Sequence, residues 1–207
     1  MITLALLTVG LPCIALSLRP FGLDLRAGSG VFLLILCVLL LWPGRGSGYE
    51  PRQLPQVLLT AALVFVGGFL LELLGVQTGW PFGVYHYLTA LGPQLAGTPL
   101  LIGCNWLLVV ASSLAWWPTA SLKAAILGSS LMLILDLLIE PLAPRLTLWQ
   151  WAAGGAGPAN YLAWWLAGLG FCYLVRRWGC LPTGLYARSL YLLLLFYFGV
   201  LHGFLQP

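Results

Sequence analysis

Charge is what this 207-residue chain has least of: nine Lys and Arg and five Asp and Glu make up 7% of it, against 61% apolar residues. The basic residues are spread over several loops and form no run or patch, which excludes a nucleic-acid surface and leaves the net charge of +4 a topological meaning. A nucleophile elbow, a phosphate-cradling glycine loop and an HExxH helix are all missing. So is any acidic cluster dense enough for a diphosphate-bound magnesium, which sets metal-dependent prenyl transfer aside. The five cysteines (13, 37, 104, 172 and 180) form no CxxC pair, and His86 and His202 have no second ligand at useful spacing. Packing or a hydrogen bond is the expected role of each, with no metal and no other cofactor. The N-terminal run has no charged leader, and Gly10, Leu11 and Pro12 before Cys13 make a poor lipoprotein cleavage site, so that run is expected to stay as a span.

What is present is apolar sequence in helix-length runs, with a mean hydropathy of +0.98. The expected architecture is all-α: a single integral membrane domain over residues 1–207, a polytopic transmembrane bundle of about seven spans. The spans fall at residues 2–18, 31–42 (extended back through Gly28), 54–74, 100–117, 122–142, 161–175 and 190–205. Gly67 and Gly68 mark close packing on the third. Between spans, residues 75–99 and 145–158 mix Gly, Pro and aromatics without charge, as re-entrant or interfacial loops do. Asn160 is placed to cap the sixth span.

Asp136 and Glu140 stand four residues apart in MLILDLLIEPLAP, on one face of a helix that Pro141 and Pro144 bring to an end. Glu72 stands in what reads as the last turn of the third span. Carboxyl groups at dry helix C-termini suggest proton donors, and Asp136, one turn deeper than Glu140, is the expected general acid. Glu140 and Glu72 would orient it or restore its proton. The plainer alternative is that these acids face headgroups or pair with Arg145.

Alternating the loops puts Arg45, Arg52, Lys123, Arg176, Arg177 and Arg188 on the N-terminal side and Arg19, Arg26 and Arg145 on the other, which favours a cytoplasmic N-terminus in the cell membrane. The same alternation carries Glu72, Asp136, Glu140 and both aromatic loops to one face, where the fourth and sixth spans add Asn105, Trp106, Asn160 and Trp164. Acid beside many indoles and phenols suits an apolar substrate with no charged handle. Protonating a trisubstituted alkene creates a tertiary cation that electron-rich rings stabilise, and water, if held nearby, captures it. Trp42, Trp116, Trp117 and Trp178 read instead as interfacial belt residues.

The runs FGVYHYLTALGPQLAGTPLLIGCNW (residues 82–106) and DLLIEPLAPRLTLWQWAAGGAGPANYLAWW (residues 136–165) resemble the two signature regions of the carotenoid 1,2-hydratase family. That family consists of membrane proteins of bacterioruberin-type and deinoxanthin-type pathways. FGxYxY, GxPL, DxxxEP, WxW and GxPxN recur in the same order within roughly residues 60–170. The resemblance implies cofactor-free addition of water across the terminal 1,2 double bond of an acyclic carotene end group. It implicates Tyr85, Tyr87, Trp106, Asp136, Glu140, Trp149, Trp151, Pro158, Asn160 and Trp164, and the aromatic loop adds Trp80 to the expected substrate contacts. Ala153, Gly154, Gly155 and Ala156 depart from the family's aromatic pattern at the end-group pocket. The expected partners are lipid, a carotene such as lycopene or γ-carotene, and other carotenoid enzymes. A membrane lycopene cyclase, which starts from the same protonation, and a carotenoid-binding or transport protein are the rival readings.

Overall fold

The computed structural model describes residues 29–204. Six helices follow one another within them: α1 (Ser29–Leu41), α2 (Leu54–Thr78), α3 (Ile102–Leu114), α4 (Leu122–Ile139), α5 (Pro158–Trp178) and α6 (Leu185–Phe204). They correspond to the second to seventh expected spans. The first, residues 2–18, lies outside the described residues, together with Cys13, Arg19 and Arg26. Three stretches are long and apolar enough to cross a membrane, Pro51–Thr78, Leu122–Ile139 and Leu185–Gly203, while Phe32–Leu41 and Ile102–Leu114 are apolar but shorter.

α3 is the axis of the bundle. Of its 13 residues only Asn105 is less than fully buried, because α1, α2, α4 and α6 all pack against it. The helices around it stay apolar on their outer faces, where Leu59, Leu63 and Leu70 of α2, Leu137 of α4 and Leu162 and Leu166 of α5 are exposed. Apolar residues on both faces of a helix fit a lipid surrounding and not water.

Local sequence sets the helix ends. Pro55 opens α2, where its missing N–H costs nothing, and Gly79 closes it in the left-handed region at φ 74° with its N–H on the Gly75 carbonyl, 2.7 Å away. α2 therefore runs past the expected end at residue 74, and Glu72 lies well inside it and not in its last turn. Ser121 caps α4 by accepting from the Ala124 N–H at 3.1 Å. α4 stops at Ile139, with Glu140 as its C-cap ahead of Pro141. α5 starts three residues earlier than expected, at Pro158, with Gly157 as N-cap. Asn160 is thus not the cap, since proline already fills the first position and the asparagine side chain is engaged elsewhere.

One end of the bundle gathers the start of α2, α4 and α6 and the end of α3 and α5. There Arg176 bonds the Leu114 carbonyl, Arg188 bonds the Ala115 carbonyl at 3.1 Å, and Gly184 and Tyr186 pair with the Gly46–Ser47 backbone. The other end holds the two aromatic loops, which depart from the all-α expectation by forming strands. β1 (Tyr85–Tyr87) pairs antiparallel with β4 (Trp149–Trp151) in the register Tyr85↔Trp151, His86↔Gln150, Tyr87↔Trp149. β2 (Gln94–Leu95) and β3 (Thr98–Pro99) make a hairpin whose turn, Ala96 and Gly97, has φ of 49° and 77°. In β1 and β4 the aromatic residues are buried and the middle residue is exposed, so YHY and WQW alternate with the period of two that a half-buried ribbon demands.

Candidate active site

Each strand of the β1–β4 ribbon serves the acid of the helix before it. Glu72 of α2 accepts from the hydroxyls of Tyr85 and Tyr87 at 2.5 and 2.7 Å on Oε2, and from the Trp106 indole at 2.9 Å on Oε1. Glu140 accepts from the indoles of Trp149 and Trp151 at 3.3 and 2.6 Å on Oε2, and from the Asn160 amide at 3.2 Å on Oε1. The same Asn160 Nδ2 lies 3.3 Å from Asp136 Oδ2, so one amide bridges both carboxyl groups of α4. Asp136 Oδ1 is buried without a hydrogen-bond partner among the described residues.

All three acids are buried, Glu72 and Asp136 each at 3% exposure. Among the described residues none of them has a salt bridge: Arg145 is exposed, and the ion pair that does form, Arg52 with Glu50, is at the surface. This overturns pairing with Arg145 as the account of these acids. Neutral donors replace the counter-cation, and hydrogen bonds to a charged group are each worth about 1.5–3 kcal/mol. Burial first, and the neighbouring Glu72 charge second, push the Tyr85 and Tyr87 phenols well above their ordinary range, which keeps both as donors.

Glycines on α2 make room for this cage. A side chain at Gly68, one turn before Glu72, would come within 2.4 Å of the Trp106 ring, and one at Gly75 within 2.7 Å of Phe82 and 2.8 Å of the Tyr85 hydroxyl. The Gly68, Glu72, Gly75 stripe is therefore a trough into which the Trp106 indole and the ribbon settle. Trp106 in turn stacks on Trp164 of α5, centroids 4.2 Å apart and planes 8° apart, and Tyr85 leans on Trp151 at 5.0 Å.

The acids, amides and rings surround a narrow cleft with room for about one water molecule, lined by Glu72 and Glu140, by Asn105 and Asn160, and by Tyr85, Tyr87, Trp149, Trp151 and Trp164, with Phe82 and Ile102 completing its wall. Asp136 adjoins this wall through Asn160 and does not itself line it. Trp106 sits behind Trp164, fully buried. Trp80 is not brought in: it is 66% exposed, because the chain turns at Gly79 and it is Phe82 that packs inward over Gly75. Phe82, three residues before Tyr85 and out of step with the alternation of Tyr85 and Tyr87, has no role in the sequence reading, and its ring within the same charge-free FGVYHY run is the signal that points to it. His86 is exposed on the outer ribbon face, His202 bonds the Leu138 carbonyl at 2.8 Å, and among the described residues no three His, Cys, Asp or Glu side chains are placed to hold a metal ion.

No solved structure matches the chain. A bisanhydrobacterioruberin hydratase of Haloarcula japonica is 30% identical over 112 residues, which are 47% of this chain and 37% of that protein. The chain thus spans well under two thirds of the relative it matches. A family model described as carotenoid biosynthesis protein matches residues 28–204, which take in all of the described residues and every residue of the cleft. Both findings support a carotenoid-modifying role, and by the second of them the chain belongs to the carotenoid biosynthesis protein family.

Proposed function

We propose that this protein hydrates the acyclic end of a carotene, adding water across the terminal 1,2 double bond to leave a tertiary alcohol. The observation that carries the reading is a narrow cleft with buried carboxyl groups from two helices, neutral donors in place of cations, and aromatic rings around the space. A carotene end has no charged handle, and such a cleft offers it apolar contact plus a proton.

Asp136 is the proposed general acid. It is the deepest of the α4 pair, and its unpartnered Oδ1 is the one carboxyl oxygen of the three acids left free of a donor. Two carboxyl groups sharing one amide in a dry site do not both ionise, so Asp136 and Glu140 together hold a proton. Transfer of the pair's proton to C2, with Glu140 on the cleft wall and Asp136 behind Asn160, leaves the cation at C1. The Trp164 face, backed by Trp106, stabilises it. Water held by Asn105 and Asn160 on the cleft wall attacks C1 and loses a proton to complete the alcohol.

The substrate enters sideways from lipid, since a long hydrocarbon does not cheaply cross water. The reading includes a seven-span arrangement with a cytoplasmic N-terminus and the acid-bearing end near one membrane face. Ring closure on the same cation is the second reading, and the two amides on the wall, groups suited to holding water, favour hydration over it.

The test is turnover in isolation. Purified protein in detergent, given an acyclic carotene and no partner or ion gradient, is expected to yield the hydroxylated pigment. Carotene recovered bound but unaltered would overturn the reading in favour of a binding or transport protein.

A further inference from the structure

Hydration needs two proton transfers, one to carbon and one from the attacking water, and the cleft has two separately built carboxyl centres. We propose that they divide the work, with Glu72 as the general base that takes the proton from water while the α4 pair supplies the proton to carbon. This rests on the hydratase reading above and assigns the second half of its chemistry.

The hydrogen-bond inventory carries the assignment. Glu72 receives three donors and shares none of them with another acid: two phenols on Oε2 and an indole on Oε1. An indole N–H only donates. A phenol keeps its proton at neutral pH and so donates as well. That surround fits an acceptor. Asp136 and Glu140 differ in kind, because they divide one Asn160 amide between them and leave Oδ1 of Asp136 without a donor, which fits a pair that retains a proton. Glu72 and Glu140 come from different helices, are fixed by opposite strands of one ribbon, and line the same narrow cleft, so a water held there, and an end group at its mouth, meet both centres.

The balance closes. The C1=C2 π pair takes the proton of the α4 pair at C2, and a water lone pair forms the C1–O bond. The proton released by that water passes to the Glu72 carboxylate and returns to the α4 pair across the cleft as the alcohol leaves. One water is consumed, and nothing is oxidised or reduced.

Splitting the steps makes the proposal testable in D₂O. With protonation intact but capture impaired, the cation reverts by losing a proton from C2 or a terminal methyl to the α4 pair, and recovered carotene carries deuterium. Glu72→Gln is expected to lose hydration by about 100-fold while exchange of deuterium into unreacted carotene persists or rises. Asp136→Asn is expected to lose both. Tyr87→Phe, which keeps the acid and removes one phenol donor, is the variant to read if Glu72→Gln does not accumulate in the membrane, and it is expected to lower hydration relative to exchange. Loss of exchange together with hydration in these Glu72-side variants, with wild type active, would overturn the base assignment alone. Neither hydration nor exchange by wild type would overturn the hydratase reading itself.

Discussion

Gly68 lies directly against the indole of Trp106, at a distance where no side chain fits: a methyl group there would overlap the ring at 2.4–2.7 Å. Because the same indole bonds Glu72 at 2.9 Å, a glycine on one helix sets the position of an acid's donor from another. Gly68→Ala is expected to destabilise the protein by about 1–3 kcal/mol through overpacking and to lower turnover by shifting Trp106. In a Trp106→Leu background the same change should cost much less. Thermal midpoints of the four proteins in detergent give the coupling, and additive effects would show that the two residues do not act through this contact.

Asp136→Asn keeps the size and hydrogen bonding of the side chain but removes its acidic proton. Hydration should fall by at least about 100-fold in a protein that still inserts in the membrane, whereas Glu140→Gln should retain measurable activity. Rates of product formation at matched protein level decide this, and the opposite ranking would move the donor to Glu140, the member of the pair on the cleft wall.

Asn160 is the single amide joining the two carboxyl groups of α4. Asn160→Leu, similar in volume, leaves both acids short of a donor in a buried site, and a lost partner there costs about 1–3 kcal/mol or more. A lower thermal midpoint together with lost hydration is expected. A midpoint equal to wild type would mean that the bridge does not hold the site.

Trp164 is the ring at the cleft whose face is backed by another indole. Trp164→Leu preserves apolar bulk but removes the π face, worth about 0.5–2 kcal/mol to a nearby cation, so kcat should fall by roughly threefold to thirtyfold at little change in KM. A rise in KM alone would reassign Trp164 to binding.

The helices of this fold were legible because each is an apolar run of helical length closed by Pro, Gly or charge. Even so, α2 outruns its expected end: the glycine that stops it is Gly79, and nothing local distinguishes it from Gly75, which is buried against Phe82 and Tyr85. The gathering of Glu72, Asp136, Glu140, Asn105, Asn160 and the aromatic residues at one end followed from alternating the spans. The pairing of Tyr85 with Trp151 did not, since the two strands are more than 60 residues apart and only the short alternations YHY and WQW hint at them. Asn160 reads as a helix cap from its place just before the expected span start at residue 161, and its actual partners, two carboxyl groups on α4, depend on a helix contact that no local pattern encodes. Trp80 looked equivalent to its aromatic neighbours, and only the turn at Gly79 excludes it.

The most direct measurement of the central claim is the mass of the pigment made when this chain is expressed in a host that accumulates lycopene. Addition of water is predicted to raise the carotene's mass by one water for each end processed, with a more polar pigment whose conjugated chromophore is unchanged. A pigment of unaltered mass with a shortened chromophore would contradict hydration and identify ring closure, and unaltered lycopene would contradict both.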